Sequence, residues 1–231
     1  MVSNRINWRT TVLVTLAIGL TLATGLMAGR FLQSYDATIW FEFEAARIAQ
    51  VLDVQPGDTV GDIRAGSGRW SVDLARRVGP EGTIFATAGP TPAHILFATV
   101  AAAQVDNVSV ITRTPGEHGR LPENCCDGVL LRHVYRNFAD RAQLAASMSR
   151  SVKTDGRVAI IEFLDSGQTS PGLTTNRISP VEVIDEFTSA GFELVELIDD
   201  WSTNTYCAVL RRTSAPPLPP AGRPDFTPTA Q

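Results

Sequence analysis

Short apolar runs alternate with segments of helical spacing through most of the chain. Residues 59–63 contain strand formers, whereas the apolar residues of segment 71–78 recur at helical spacing. The predicted strands are 59–63, 83–87, 108–111, 128–132, 157–163, 193–199 and 206–211, and the predicted helices are 40–52, 71–78, 93–103, 141–152 and 180–190. This alternation predicts an α/β fold, with helices on both faces of a mainly parallel sheet. The short connection at 201–204 suits an antiparallel last strand.

The amino-terminal segment 1–30 differs from the rest of the chain. Residues 11–28 carry no charge and are rich in Leu, Val, Ala and Ile. An apolar run of about 18 residues is at the lower limit for a membrane span and also fits the core of a signal peptide. We expect an uncleaved membrane anchor, with a cleaved signal as the alternative, because Leu26 disfavours a cut after Ala28.

Charges around this span indicate an orientation. Arg5 and Arg9 precede the span, which favours a cytoplasmic amino end and a domain on the periplasmic or extracytoplasmic side. Export after signal cleavage is the alternative, and Arg30 on the far side leaves the inverted orientation open. At the other end, the Pro-rich segment 213–231 predicts a disordered tail. The folded domain is therefore expected over 31–212.

Length and charge exclude some classes of function. A chain of 231 residues holds one domain with a full-sized core. The formal net charge of −4 gives no basic surface for nucleic acid, so a small-molecule or lipid-like partner is expected. The three cysteines and three histidines are not grouped at zinc spacing, and no metal site is predicted.

Residues 60–70 form the most informative segment, with the pattern of a buried strand, a glycine turn and the start of a helix. Gly66 and Gly68 allow a sharp turn and bring backbone N–H groups close to a ligand. Nucleotide-like cofactors bind at such turns. Arg64 stands where the dinucleotide-binding pattern has a glycine, so the turn alone does not specify the ligand.

Further motifs follow in order along the chain. They are 51–60 leading into 62–68, a second strand at 82–87, a fourth at 126–135, a helix end, turn and strand at 152–163, and a closing segment at 190–195. In this order and spacing, the chain from about Phe43 to Arg212 resembles the class I S-adenosylmethionine-dependent methyltransferases. The resemblance implies a Rossmann-like, doubly wound sheet with an antiparallel last strand. It also implies S-adenosylmethionine as the cofactor and transfer of its methyl group.

The resemblance assigns a place to each residue of the glycine turn. Asp62, Gly66 and Gly68 would shape the pocket beneath the methionine end of the cofactor. Asp62 would accept hydrogen bonds from the turn or from the cofactor's amino group. A role in capping the turn without touching a ligand stays open.

The chain departs from the family's pattern at several positions. The second strand of the family commonly ends in an acid that holds the ribose hydroxyls, and this chain has Ala88 there. Glu117 is the candidate to replace the acid that binds the adenine amine. Arg64 would attract an anionic ligand or pair with a carboxylate. Because each lost hydrogen bond costs about 1–3 kcal/mol, these departures are expected to weaken cofactor binding.

His133 and Tyr135 follow the fourth strand, at the edge where open α/β sheets bind their ligands. They are the candidate catalytic residues for contact with the acceptor. His133 can accept a proton near neutral pH. Packing of both against a neighbouring helix with Phe138 is the alternative, and Asp165 after the fifth strand is a further candidate. In the implied sheet Cys207 lies at the opposite end from Cys126, so no disulfide between them is expected.

Two functions remain after these observations. The first is an S-adenosylmethionine-dependent methyltransferase that acts on an unidentified small or lipid-like acceptor. The alternative is a non-catalytic, methyltransferase-like binding protein at the membrane or in the periplasm that has lost the cofactor site. A nicotinamide-dependent oxidoreductase is disfavoured, since it too requires an acid after the second strand.

Overall fold

The computed structural model describes residues 38–112, 121–164 and 177–214, apart from the side chains of 90 and 91. Two compact units are distinguished, Met1–Ala46 and Arg47–Gln231. Helix α1 covers residues 38–52, and in its first part the rings of Trp40 and Phe43 meet edge to face at 6.4 Å. The other elements are β1 (Thr59–Asp62), α2 (Arg69–Val78), β2 (Thr83–Ala88), α3 (Pro90–Ala103), β3 (Val108–Thr112), β4 (Cys126–Arg132), a 3₁₀ turn (Tyr135–Asn137), α4 (Arg141–Ser151), β5 (Val152–Phe163), α5 (Pro180–Ser189), β6 (Phe192–Ser202) and β7 (Thr205–Arg212).

The strands form one seven-stranded sheet in the order β3-β2-β1-β4-β5-β7-β6. Strands β1 to β5 pair in parallel, and β7 runs antiparallel to both β5 and β6. The prediction of a mainly parallel, doubly wound sheet with an antiparallel last strand is therefore confirmed. The strand order reverses between β1 and β4, and such a switch point opens a crevice at the carboxyl ends of the strands.

Successive residues of the central strands pack on opposite faces of the sheet. In β4, Leu130 belongs to the same buried cluster as Leu74 of α2. Its neighbours Val129 and Leu131 belong to a second cluster with Leu144 of α4. Because side chains alternate along a strand, such continuous apolar strands require helices on both faces. This packing is what the sequence pattern predicted.

The fifth strand begins earlier than predicted. Residues 152–156 were expected to be a helix end and a turn, but Val152 already pairs with Cys126 of β4. The predicted turn appears as an irregularity within the strand. Asp155 has a positive φ of 66°, and the register of pairing with β4 shifts before Arg157 pairs with Gly128. A local turn signal thus produced an irregularity in the strand, because pairing with β4 continues on both sides of it.

The cysteines are placed by the sheet register. Cys126 is bonded to its neighbour Cys125. It lies beside Val152 at the start of β5, whereas Cys207 lies beside Ile161 near the end of that strand. The expected separation of Cys126 from Cys207 is confirmed, while the bond between adjacent cysteines was not anticipated.

No helix in the described ranges is long and apolar enough to cross a membrane. The predicted anchor or signal at 11–28 lies outside those ranges, as does the predicted tail beyond Ser214. Both stay predictions. Thr213, the first residue of the predicted tail, donates its backbone N–H to the Gly191 carbonyl at 3.0 Å.

Candidate active site

Asp62 ends β1 and is almost completely buried, with 3% of its surface exposed. Its Oδ2 accepts a hydrogen bond of 2.6 Å from the Ser71 hydroxyl on α2. Burial raises the pKa of Asp62 to about 6, and the Ser71 hydrogen bond and the Arg132 charge oppose this shift. The carboxylate therefore holds the start of α2 against the end of β1, and it is mostly ionised at neutral pH.

The turn after Asp62 requires left-handed backbone at three positions. Gly66 and Gly68 have φ values of 58° and 84°, and Arg64, which is not a glycine, has a φ of 55°. The Arg64 N–H donates to the Thr87 hydroxyl at 2.9 Å, which fixes the turn against β2. A Cβ on Gly68 would lie 2.3 Å from Leu96 Cδ1, so this glycine allows α3 to approach the turn.

A cavity of about 260 Å³ opens beside this turn. It is lined by Arg64, Gly66, Ala88, Gly89 and Pro92. The cavity therefore lies at the carboxyl ends of β1 and β2, where the sequence predicted the cofactor. Ala88 supplies no hydrogen-bonding side chain to its wall, in agreement with the departure noted above. A larger hollow of about 620 Å³ lies at the opposite, amino ends of β2 and β3, far from these residues.

His133 directly follows β4, the strand on the other side of β1. Its φ of 57° is left-handed, like that of Arg64. Its ring stacks on Phe163 with centroids 4.3 Å apart. Non-glycine residues rarely adopt this conformation, and such residues concentrate at functional sites. Of the seven such residues in the described part of the chain, two lie at the ends of the neighbouring strands β1 and β4.

Tyr135 is completely buried and belongs to a core cluster with Leu144 of α4 and Phe187 of α5. Its hydroxyl donates to Glu186 Oε2 at 2.5 Å, and its ring packs against Phe187. Burial and the Glu186 hydrogen bond raise the pKa of the hydroxyl well above its usual range. These contacts fit the packing role that the sequence left open.

Sequence reasoning missed an ion pair at the end of β5. Glu162 is fully buried and pairs with the Arg136 guanidinium, and it also accepts the Arg136 N–H at 3.3 Å. The same guanidinium lies 5.0 Å from the centroid of the Phe163 ring. A charged residue inside an apolar strand was the available signal, since a buried charge needs a partner. Glu117 and Asp165 lie outside the described residues.

The strand order, the glycine turn and the cavity beside it define a class: a Rossmann-like methyltransferase fold. The model of the ubiE/COQ5 methyltransferase family matches residues 36–175, and the chain belongs to this family. A solved S-adenosylmethionine-dependent methyltransferase from Aquifex aeolicus has the same fold, with a TM-score of 0.64 at 16% identity, covering 72% of this chain and 88% of that protein. The [4+2]-cyclase SpnF has it too, with a TM-score of 0.60 at 12% identity, covering 74% of this chain and 80% of that protein.

Curated relatives are similar over part of their length. A ubiquinone/menaquinone biosynthesis C-methyltransferase of Ralstonia pickettii is 30% identical over 128 residues, which are 54% of this chain and 49% of that protein. A demethylmenaquinone methyltransferase of Shouchella clausii is 30% identical over 117 residues, 48% of this chain and 47% of that protein. An arsenite methyltransferase of Halobacterium salinarum is 28% identical over 170 residues, 64% of this chain and 43% of that protein. The chain thus spans about half the length of these relatives.

Family membership supports S-adenosylmethionine as the cofactor, as the sequence predicted. The structure fits this cofactor in three respects. The cavity lies at the carboxyl ends of β1 and β2, and β1 also borders the switch point of the sheet. A Cβ on Gly66 would meet nothing closer than the Arg64 carbonyl oxygen at 4.0 Å, so the wall there is open backbone. The buried Asp62 carboxylate lies at the base of the turn and adds a negative charge there.

Proposed function

We propose that this protein transfers a methyl group from S-adenosylmethionine to a small or lipid-like acceptor. The observation that supports this proposal most directly is the cavity of about 260 Å³ beside the glycine turn, bounded by Gly66 and the end of β2. Its position coincides with the motif segment inside the family match at residues 36–175.

The residues of the chain have defined tasks in such a reaction. The cofactor supplies an electrophilic methyl group. The acceptor's nucleophile bonds to the methyl carbon, the carbon–sulfur bond breaks, and S-adenosylhomocysteine leaves. Methyl transfer needs mainly alignment of the two reactants in a pocket that excludes water. Asp62, ionised above pH 6, would accept hydrogen bonds from the cofactor's ammonium group, and Gly66 would let the backbone approach it.

The acceptor would lie on the β4–β5 side of the turn. His133 and Phe163 present stacked ring faces there, and both are half-buried. Stacked rings favour a flat, apolar acceptor. The names of the Ralstonia and Shouchella relatives support a quinone-like acceptor. His133 would accept the proton that the acceptor's nucleophile releases.

The test is methyl transfer from methyl-labelled S-adenosylmethionine by the full-length protein, with reduced short-chain naphthoquinones and benzoquinones as acceptors. We expect label in the organic phase with the native protein and none with Gly66→Leu, because the leucine would fill the cavity. Gly57→Leu is the matched control, since Gly57 also has a positive φ, 91°, and no atom within 4 Å of an added Cβ, but lies before β1. Equal transfer by both variants would contradict the proposed site. No transfer to any quinol would contradict the quinone-like acceptor.

The alternative, a binding protein without catalytic activity, is not favoured by the family match. The fold itself does not distinguish a methyltransferase from a protein with another function, because the cyclase SpnF shares it. Binding of the cofactor without transfer to any acceptor would support the alternative.

We also propose that residues 11–28 hold the protein at a membrane, which would place it near lipid-like acceptors. Orientation then determines access to cytoplasmic cofactor. A reporter fused after Gln231 that is active only in the cytoplasm measures it directly. Signal would agree with the methyltransferase, and silence would indicate the extracytoplasmic orientation and count against activity.

A further inference from the structure

Arg64 is the charged residue among those that line the cavity. The other lining residues, Gly66, Ala88, Gly89 and Pro92, have small or apolar side chains. Among the described residues that line this cavity, Arg64 is therefore the one that can offer a charged group to a ligand bound beside the turn.

The Arg64 guanidinium is held in place but has no acidic partner in the described part of the chain. It stacks on the Phe138 ring, 4.2 Å from the centroid. None of the recorded ion pairs involves it. Burial lowers its pKa. A half-buried cation without a counter-ion is a recognition element for an anion, because pairing offsets the cost of its desolvation.

The position of Phe138 indicates which end of the cofactor Arg64 would meet. Phe138 follows the 3₁₀ turn after β4, whereas Ala88 and Gly89 are at the end of β2, and β1 lies between these two strands. The guanidinium thus extends from the turn after β1 towards the β4 side, whereas the Arg64 backbone stays beside β2 through its hydrogen bond with Thr87. The family holds the ribose at the end of β2. S-adenosylmethionine has one carboxylate, at the end opposite its adenine.

We propose that Arg64 binds the methionyl carboxylate of S-adenosylmethionine, and that this contact replaces the ribose anchor which Ala88 cannot provide. The inference rests on the proposed function. It explains why a long cation occupies a turn position with a left-handed φ of 55°, where glycine is less strained. Cofactor affinity in this chain then depends on the carboxylate end more than on the ribose hydroxyls.

The experiment is calorimetric titration of the full-length protein with S-adenosylhomocysteine, its decarboxylated analogue and its 2′-deoxy analogue. Each ligand is titrated into the native protein, Arg64→Gln and Arg64→Lys. Arg76→Gln is the matched control, since Arg76 is an exposed arginine in the last turn of α2, at the opposite edge of the sheet.

We expect the native protein to bind the decarboxylated analogue roughly tenfold more weakly than S-adenosylhomocysteine, the effect of one charge-assisted hydrogen bond. The ratio of the two dissociation constants, decarboxylated analogue to S-adenosylhomocysteine, should fall close to one in Arg64→Gln. It should be partly retained in Arg64→Lys and unchanged in Arg76→Gln. The 2′-deoxy analogue should bind within about threefold of S-adenosylhomocysteine.

Two results would overturn the inference in distinguishable ways. The first is an equal ratio of the two dissociation constants in the native protein and in Arg64→Gln, with S-adenosylhomocysteine still bound. This result would show that Arg64 does not recognise the carboxylate, and the proposed function would stand. Absence of binding by the native protein would remove the inference together with the proposed function. Thermal unfolding of each variant shows that a lost ratio does not come from a lost fold.

Discussion

The two sides of the candidate site are built from different parts of the polypeptide. On the β1–β2 side the walls are backbone and small residues, namely Gly66, Ala88 and Gly89 with one cation, Arg64. On the β4–β5 side the surface consists of paired side chains, such as His133 with Phe163 and Arg136 with Glu162. A wall made of backbone requires glycine or small residues at fixed positions of a short segment, whereas paired side chains come from distant segments and meet only after folding. The first side is therefore visible as a motif, and the second is not.

The largest effect is expected from breaking a pair on the β4–β5 side. Arg136→Met would leave the Glu162 carboxylate, whose side chain is fully buried, without its partner. We expect the free energy of unfolding to fall by about 3–5 kcal/mol, the usual cost of an uncompensated buried charge. Urea denaturation measures this change. The double variant Arg136→Met with Glu162→Gln should recover most of the loss, and equal losses in the single and double variants would contradict the pairing.

A slightly smaller effect, on the β1–β2 side, depends on pH. The pKa of Asp62 rises from its ordinary value of 3.8 to about 6 on folding. Its contribution to stability is fully present below pH 4 and is lost as the pH rises through 6, which amounts to about 3 kcal/mol. Asp62→Asn removes this dependence, so the variant should gain stability relative to the native protein between pH 4 and pH 7. Parallel pH profiles of unfolding for the two proteins would refute the assignment.

Next comes a test of the close contact between the glycine turn and α3. Gly68→Ala combines a φ of 84° with an added Cβ 2.3 Å from Leu96 Cδ1. We expect a loss of about 2–3 kcal/mol, from left-handed strain and overpacking together. Gly66→Ala, with open space around the added Cβ, should lose only about 1 kcal/mol. Thermal melts compare the two, and similar losses would show that α3 does not press on the turn.

The smallest expected effect on stability comes from a pair of variants that distinguishes the roles of Tyr135 and His133. Tyr135→Phe removes the hydroxyl that donates to Glu186. It should cost about 1–2 kcal/mol of stability and leave methyl transfer unchanged at saturating acceptor. His133→Gln should lower the rate of transfer with little change in stability. A drop in the rate with Tyr135→Phe, in a protein that is still folded, would return Tyr135 to the catalytic site.

The mainly parallel sheet and the side of the sheet that holds the cofactor followed from the sequence, because strand–helix alternation and glycine turns are local constraints. The left-handed turn at Gly66 and Gly68 is an example. The order of the strands within the sheet needed the structure. The contact of Tyr135 with Glu186 was not predictable, since the two residues are 51 positions apart. The direction of the Arg64 side chain also needed the structure, because Phe138 reaches it only through the pairing of β1 with β4.

Calorimetric titration of S-adenosylhomocysteine into the full-length native protein tests the central claim most directly. The claim is that the turn between β1 and α2 still forms a cofactor site although Ala88 and Arg64 depart from the family's pattern. We expect binding with a dissociation constant in the micromolar range, roughly −8 kcal/mol. Absence of heat at millimolar ligand would contradict the claim, and would leave a methyltransferase fold with another use.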